Sequence, residues 1–181
     1  MQLNPVRDND RSVQIDVILG DITAETADAV VTAANESLTG GGGVDGAIHR
    51  AAGPELAQVG GRLGPLDPGD AIATDAFAMA PRVRWIIHTV GPIWEGGNYG
   101  EADVLRSCYR RVLEVADQIG ARTLCIPAIA TGVYGYPINE AARIAVDTLL
   151  TTATQVETIR LVAFDDESEQ VLDAALADHS P

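Results

Sequence analysis

One stretch, residues 28–53, restricts the fold more than any other: DAVVTAANESLTGGGGVDGAIHRAAG. It opens with the apolar, β-type run Ala29-Val30-Val31 and passes through Asn35 to four consecutive glycines, 40–43. It then enters a helical pattern in which Ala47, Ile48, Ala51 and Ala52 share a face, and Gly53-Pro54 stops it. A buried strand, a glycine loop and a helix in so short a span form the building unit of an α/β sheet. The loop is also a physical anion site: glycines let backbone approach a ligand, and the N–H groups of the first helical turn point outward. Asn35 before it and Asp45 after it add two polar side chains to its rim. The loop is not of the Walker type, which needs a Lys, because all 12 basic residues are Arg. Residues 41–46 match G-x-G-x-x-G in spacing, but the loop is not read as the dinucleotide fingerprint, which also needs an acidic residue closing a second strand about 20 positions on, where this chain reads as loop.

Strands and helices alternate along the rest of the chain. Residues 13–19 read as a strand running into Gly20-Asp21-Ile22-Thr23, and residues 28–33 as a second one, apolar enough for burial on both faces. Residues 55–67 contain Gly60, Gly61, Gly64 and Pro65 and read mostly as loop after one helical turn. Residues 71–76 and 84–90 read as strands, the latter closed by Gly91-Pro92, and residues 93–100 as loop. The pattern predicts a helix over 101–119, with Leu105, Cys108, Val112, Val115 and Ile119 on one stripe and Gly120 ending it. A strand at 123–126 runs into the second glycine-containing loop, 128–137. Asn139 suits the cap of a helix whose inner face is Ala142, Ala145, Val146 and Leu149. A strand at 157–164 and an amphipathic helix at 167–177 close the chain. The alternation predicts a three-layer α/β sandwich with a largely parallel sheet, in which ligands bind outside the carboxyl ends of the strands. Residues 13–181 read as a single domain after an N-terminal extension, residues 1–12, with no internal repeat.

Charge narrows the partners. With 26 acidic residues against 12 Arg, the formal net charge of −14 provides no electrostatic footprint for nucleic acid or anionic lipid. Phosphate, if bound, must be held locally by backbone N–H groups and helix ends. Cys108 and Cys125 sit in apolar surroundings and read as free buried thiols. The polar N-terminus has no signal-peptide core, and no apolar run reaches the ~20 residues of a membrane span. A soluble, cytoplasmic, bacterial protein is expected; Arg without Lys points to a GC-rich genome. No His/Cys/Asp/Glu group has metal-ligand spacing, and no G-x-S-x-G elbow is present.

Each candidate residue has a plain structural alternative. Asp45 suits a helix cap, and Asp21 and Asn35 suit turns or caps. Tyr134, Tyr136 and Phe164 serve either as flat surfaces for a sugar or base or as packing residues. His49 and His88 read as structural histidines.

Taken together, G-D-I-T at 20–23, A-A-N at 33–35, G-G-G-G-V-D-G-A-I-H-R-A-A-G at 40–53, I-I-H-T-V-G-P at 86–92 and T-G-V-Y-G-Y-P at 131–137 resemble the macrodomain family, and within it the MacroD-type ADP-ribose hydrolases. The resemblance covers residues 13–177. It implies a three-layer α/β/α sandwich with a mixed, largely parallel sheet and a cleft for ADP-ribose. By motif position, Asp21 and the Ile22 backbone would receive the adenine, with Phe164 stacked on it. Gly41, Gly42, Gly43 and Val44, with Thr131, Gly132, Val133 and Tyr134, would wrap the diphosphate, and Tyr134 would pack on the distal ribose. Asn35 and Asp45 match the catalytic pair. The implied reaction is metal- and cofactor-independent hydrolysis of the ester between the distal ribose and an acyl group, through a water activated by Asp45 and the substrate phosphate. The acyl group is an acidic side chain of an ADP-ribosylated protein or the acetyl of O-acetyl-ADP-ribose. Partners are thus ADP-ribose and ADP-ribosylated proteins, not nucleic acid or membrane, and the chain is expected to be a monomer.

Two departures stand out: Thr32 replaces the first Asn of N-A-A-N, and Ala130 replaces the Ser that begins the second loop. The competing reading is a module that binds ADP-ribose without turning it over. The Asn35/Asp45 pair separates the two, since a reader needs no base.

Overall fold

The computed structural model describes residues 12–179. The expected N-terminal extension lies, up to residue 11, outside the described residues. Six strands form one sheet: β1 (Gln14–Leu19), β2 (Ala27–Ala33), β3 (Ala71–Asp75), β4 (Val83–Thr89), β5 (Thr123–Pro127) and β6 (Thr158–Ala163). Their order is β1-β6-β5-β2-β4-β3. All neighbours are parallel except β3, which runs antiparallel to β4 at the edge. The carboxyl ends of the five parallel strands therefore share one edge of the sheet.

Five helices cover both faces: α1 (Gly43–Ala52), α2 (Glu55–Leu63), α3 (Glu101–Ile119), α4 (Ile138–Thr151) and α5 (Asp166–Ala177). Side-chain alternation along the strands divides the core. Ala29, Val31, Ile87, Leu124, Ile126, Ile159 and Leu161 face α3, α4 and α5. Val30, Ile86, Cys125 and Val162 face Ile48 and Ala52 of α1 and Leu56 of α2. Both faces are buried, which is why these strands read as continuous apolar runs. This is the sandwich with a mixed, largely parallel sheet that the sequence predicts. Both cysteines are free and buried, as expected. Helix α3 has the predicted bounds and ends on Gly120 in the left-handed region, φ +73°.

Three local expectations are corrected. Residues 55–63 form helix α2 rather than loop. Its glycines serve close packing: a Cβ on Gly60 would stand 1.8 Å from the Leu38 carbonyl oxygen. Asn139 caps nothing; α4 begins at Ile138 after Pro137, with no side-chain cap. Asp45 is not a cap either, because α1 starts at Gly43 and its cap position is Gly42, also without a side-chain bond.

Candidate functional site

A cleft of about 940 Å³ opens along the carboxyl edge of the sheet. Every residue expected in the site lines it: Asp21, Ile22, Asn35, Gly41, Gly42, Gly43, Val44, Asp45, Thr131, Gly132, Val133, Tyr134 and Phe164. The segments after four strands deliver them: Asp21 and Ile22 after β1, Asn35 and residues 41–45 after β2, residues 131–134 after β5 and Phe164 after β6.

At the base of the cleft, Asp45 is the third residue of α1 and only 2% exposed. Its Oδ1 accepts a hydrogen bond from the Thr32 hydroxyl at 2.9 Å, and His49 Nε2, one turn on, lies 3.7 Å away. Its Oδ2 is buried with no hydrogen-bond partner among the described residues. Burial raises the Asp45 pKa above the ordinary carboxylate value; the Thr32 bond and the nearby His49 pull the other way without cancelling it. The glycine loop passes directly over this pair: a Cβ on Gly41 would stand 3.4 Å from Asn35 Nδ2 and 3.7 Å from Asp45 Oδ2. Gly46 permits that approach, since a Cβ there would meet the Gly41 carbonyl oxygen at 2.5 Å.

Asn35 is both a turn residue and a cleft residue. Its Nδ2 donates to the Gly40 carbonyl at 3.1 Å, its Oδ1 accepts from the Ser37 hydroxyl at 2.8 Å, and its main-chain carbonyl accepts from Leu38 N at 3.2 Å. These bonds fix the amide against the loop.

The anion-binding features are backbone. No side chain caps α1, so the N–H groups of its first turn at Gly43, Val44 and Asp45 are without intrahelical acceptors. In the second loop, Gly135 N donates to Gly132 O and Tyr136 N to Ala130 O. Neither bond engages the N–H groups of Gly132, Val133 or Tyr134, which have no acceptor among the described residues. Ala130 holds φ +66°, a left-handed conformation that costs a non-glycine residue about 1 kcal/mol or more.

At the far end, Asp21 caps the short turn Ile22–Ala24, its Oδ1 accepting from the Thr23 hydroxyl at 2.7 Å and Thr23 N at 2.9 Å. These two bonds hold its carboxyl below the ordinary value. Phe164 directly follows β6 and is 91% exposed in the cleft, an unusual place for a phenyl ring with nothing to cover it. Tyr136, by contrast, is a packing residue: it is buried and its ring meets Trp94 at 4.6 Å. His88 is buried with Nε2 on the Thr74 hydroxyl at 2.9 Å, and burial depresses its pKa to about 4.

Sequence reasoning missed Arg50, Gly91, Asp165 and Ser168, which also line the cleft. Arg50 was legible: it follows Val44 and Ala47 at three-residue spacing, hence on the same face of α1. It is the one cation among the described residues that line the cleft. Among the described residues no group of three or more His, Cys, Asp or Glu could hold a metal ion. No described helix is long and apolar enough to cross a membrane.

A family model for the Macro domain matches residues 31–145, the span holding Asn35, Asp45 and both glycine loops. The chain belongs to the macrodomain family. This macrodomain is 51% identical over 168 residues to a macro domain-containing protein of Streptomyces coelicolor, covering 90% of this chain and 98% of that one. It is 49% identical over 162 residues to the O-acetyl-ADP-ribose deacetylase of Enterobacter cloacae, with 86% and 89% covered. Among solved structures, the Oceanobacillus iheyensis macrodomain with ADP superposes with a TM-score of 0.85 at 40% identity, covering 91% of this chain and 90% of that one. The Trypanosoma brucei macrodomain in complex with ADP-ribose gives a TM-score of 0.83 at 33% identity, covering 90% and 69%.

Proposed function

We propose that this macrodomain binds ADP-ribose and hydrolyses the ester joining its distal ribose to an acyl group, either acetyl or an acidic side chain of a protein. The observation that carries the reading is the buried, unpartnered Oδ2 of Asp45, set beside Asn35 beneath the first glycine loop. A reader has no use for a raised-pKa carboxylate with a free oxygen at the cleft floor. The relative named O-acetyl-ADP-ribose deacetylase supports the same chemistry.

In this reading Phe164 stacks on the adenine, whose amino group donates to Asp21, and the Ile22 backbone lies beside it. The diphosphate sits between the N–H groups of Gly41, Gly42, Gly43 and Val44 and those of Thr131, Gly132, Val133 and Tyr134. Oriented amides and a helix N-terminus suit a dianion even in an acidic protein. Asn35 holds the distal ribose hydroxyls, and Tyr134 packs against that ring. Water between Asp45 Oδ2 and the proximal phosphate loses its proton to the carboxylate as it attacks the ester. Thr32 fixes Oδ1 so that Oδ2 remains the acceptor.

The test is release of ADP-ribose from a protein mono-ADP-ribosylated on Glu or Asp, and of acetate from O-acetyl-ADP-ribose, by wild type and Asp45→Ala. Wild type releases both and the variant neither, while calorimetry shows that the variant still binds ADP-ribose. Turnover by the variant at the wild-type rate overturns the role of Asp45. Binding without turnover by wild type makes this macrodomain a reader.

A further inference from the structure

Residues 91–100 leave the carboxyl end of β4 at Gly91, on the cleft wall, and reach α3 at Gly100. The segment has no regular structure, yet its backbone is held from inside. The buried Glu101 carboxylate accepts from Glu95 N at 3.0 Å and Gly97 N at 2.7 Å through Oε2, and from Tyr99 N at 2.6 Å through Oε1. Burial alone would raise the Glu101 pKa; the N–H donors outweigh it and hold the group below its ordinary value. The carboxylate is therefore ionised, and the clamp closed, at neutral pH. The other side of the segment is tied to the second glycine loop. Trp94 N donates to Tyr134 O at 2.8 Å, and the Trp94 ring packs on Tyr136.

This fixed segment turns large apolar side chains outward: Ile93 is 61% and Tyr99 74% exposed. On the loop tied to it, Val133 is 96% exposed. Val133 and Tyr134 line the cleft, whereas Ile93 and Tyr99 do not; they flank Trp94 on the segment that its N–H ties to Tyr134. Neither a ligand confined to the cleft nor the core uses them. Holding them in a preorganised loop reduces the ordering cost of any partner contact.

We infer that the Glu101-clamped segment 91–100 is a docking rim for the polypeptide that carries the ADP-ribose, with Ile93 and Tyr99 receiving apolar side chains flanking the modified carboxylate. The inference rests on the proposed reaction. With the distal ribose against Tyr134, the acyl group leaves the cleft across the Trp94–Tyr134 edge. An acetyl group ends there, whereas a protein continues over Ile93 and Tyr99. Segment 91–100 itself carries Glu95 and no basic residue, so it gains nothing from acidic neighbours of an acidic acceptor, and apolar contact is the chemistry left to it.

The test compares wild type with the double variant Ile93→Ser/Tyr99→Ser, and with Tyr99→Ser alone, on two substrates. These are a protein mono-ADP-ribosylated on Glu or Asp, and O-acetyl-ADP-ribose. On the protein, kcat/KM of the double variant falls about tenfold, the scale of losing two apolar anchors, while the small ester is turned over at the wild-type rate. Equal losses on both substrates, or no loss on either, overturn the docking rim. If wild type turns over neither, the hydrolase reading fails separately, and the rim is then read from binding. The double variant must bind the modified protein more weakly than wild type does while free ADP-ribose affinity is unchanged; equal affinities overturn it.

Discussion

Replacing Thr32 by Val removes one hydroxyl and almost no volume from a site with no solvent exposure. What it removes is the single hydrogen bond to the Asp45 carboxylate, 2.9 Å from Oδ1. Hydrogen bonds to charged groups contribute roughly 1.5–3 kcal/mol. Losing this bond therefore lifts the Asp45 pKa further. His49, 3.7 Å from the same oxygen, remains on α1 and moderates the rise in either variant. If Asp45 is the base, activity rises as pH climbs through its pKa. The acid limb of kcat/KM for ester hydrolysis then moves to higher pH in Thr32→Val. Thr32→Ser, which restores a hydroxyl, returns it.

The same bond makes a stability prediction with a definite sign. Asp45 titrates at its ordinary 3.8 in the unfolded chain and above that in the folded one. The folded state therefore holds the extra proton, and stability falls as pH rises from 3.8 through the folded value. Thr32→Val widens that window. Its loss of stability relative to wild type is about 1.5–3 kcal/mol at neutral pH, and smaller below the unfolded pKa, where the carboxyl is neutral in both states. Thermal melts from pH 3.5 to 8, alongside the rate profile, check both. An acid limb that stays in place or moves down, or a stability loss equal at all pH values, refutes the coupling of Thr32 to the Asp45 charge.

Other predictions are independent of that pair. Phe164→Ala weakens ADP-ribose binding by about 1–3 kcal/mol, the scale of base stacking on an aromatic ring, while ribose-5-phosphate affinity stays constant by calorimetry. Asp21→Ala shows the same selectivity for the adenylate; loss of ribose-5-phosphate affinity would place Asp21 elsewhere. Gly60→Ala forces a Cβ against the Leu38 carbonyl oxygen, 1.8 Å away. The cost, about 3 kcal/mol or more, lowers Tm by roughly 10 °C, and an unchanged Tm would mean that α2 can shift off the loop. Glu101→Gln weakens the clamp, so amide exchange at Glu95, Gly97 and Tyr99 accelerates while that of the buried β4 amides does not.

Most of the sheet was legible because burial on both faces leaves unbroken apolar runs: Val30 and Val31 point to opposite cores. Helix α3 was legible to the residue because one face of it is exposed and the stripe repeats with helical period. Helix α2 was not, because Gly60, Gly61 and Gly64 are there for close approach to the 36–39 turn, a tertiary reason that composition cannot report. Asn139 was misplaced for a related reason: α4 starts from a loop whose shape Ala130 and Tyr136 determine, so it needs no side-chain cap. The cleft residues were legible as a set, since the glycine loops mark strand ends that share one edge. The state of Asp45 was not. Its contacts with Thr32 and with the glycine loop above it join residues 13 and 4 positions away, a juxtaposition that only folding supplies.

Those contacts also reconcile an acidic cleft with an anionic ligand. The overall charge of −14 matters little at the site, because exposed charges farther than about 8 Å are screened at physiological salt. What remains is local: Asp21, Asp45 and Asp165 on the cleft wall, opposed by Arg50 and by oriented backbone amides. Asp21 and Asp165 are each neutralised in part by a cap, accepting from Thr23 and Ser168. Asp45 is the one carboxylate beneath the glycine loop, and its pKa is already raised by burial. A diphosphate arriving above it raises that pKa further. The bound state thus moves Asp45 away from a fully committed anion that would repel the ligand. Thr32 opposes that rise, because its one hydroxyl stabilises the charged form. In the proposed reaction, one of the two residues that depart from the family pattern, Thr32, is therefore the one that bears on the charge of Asp45.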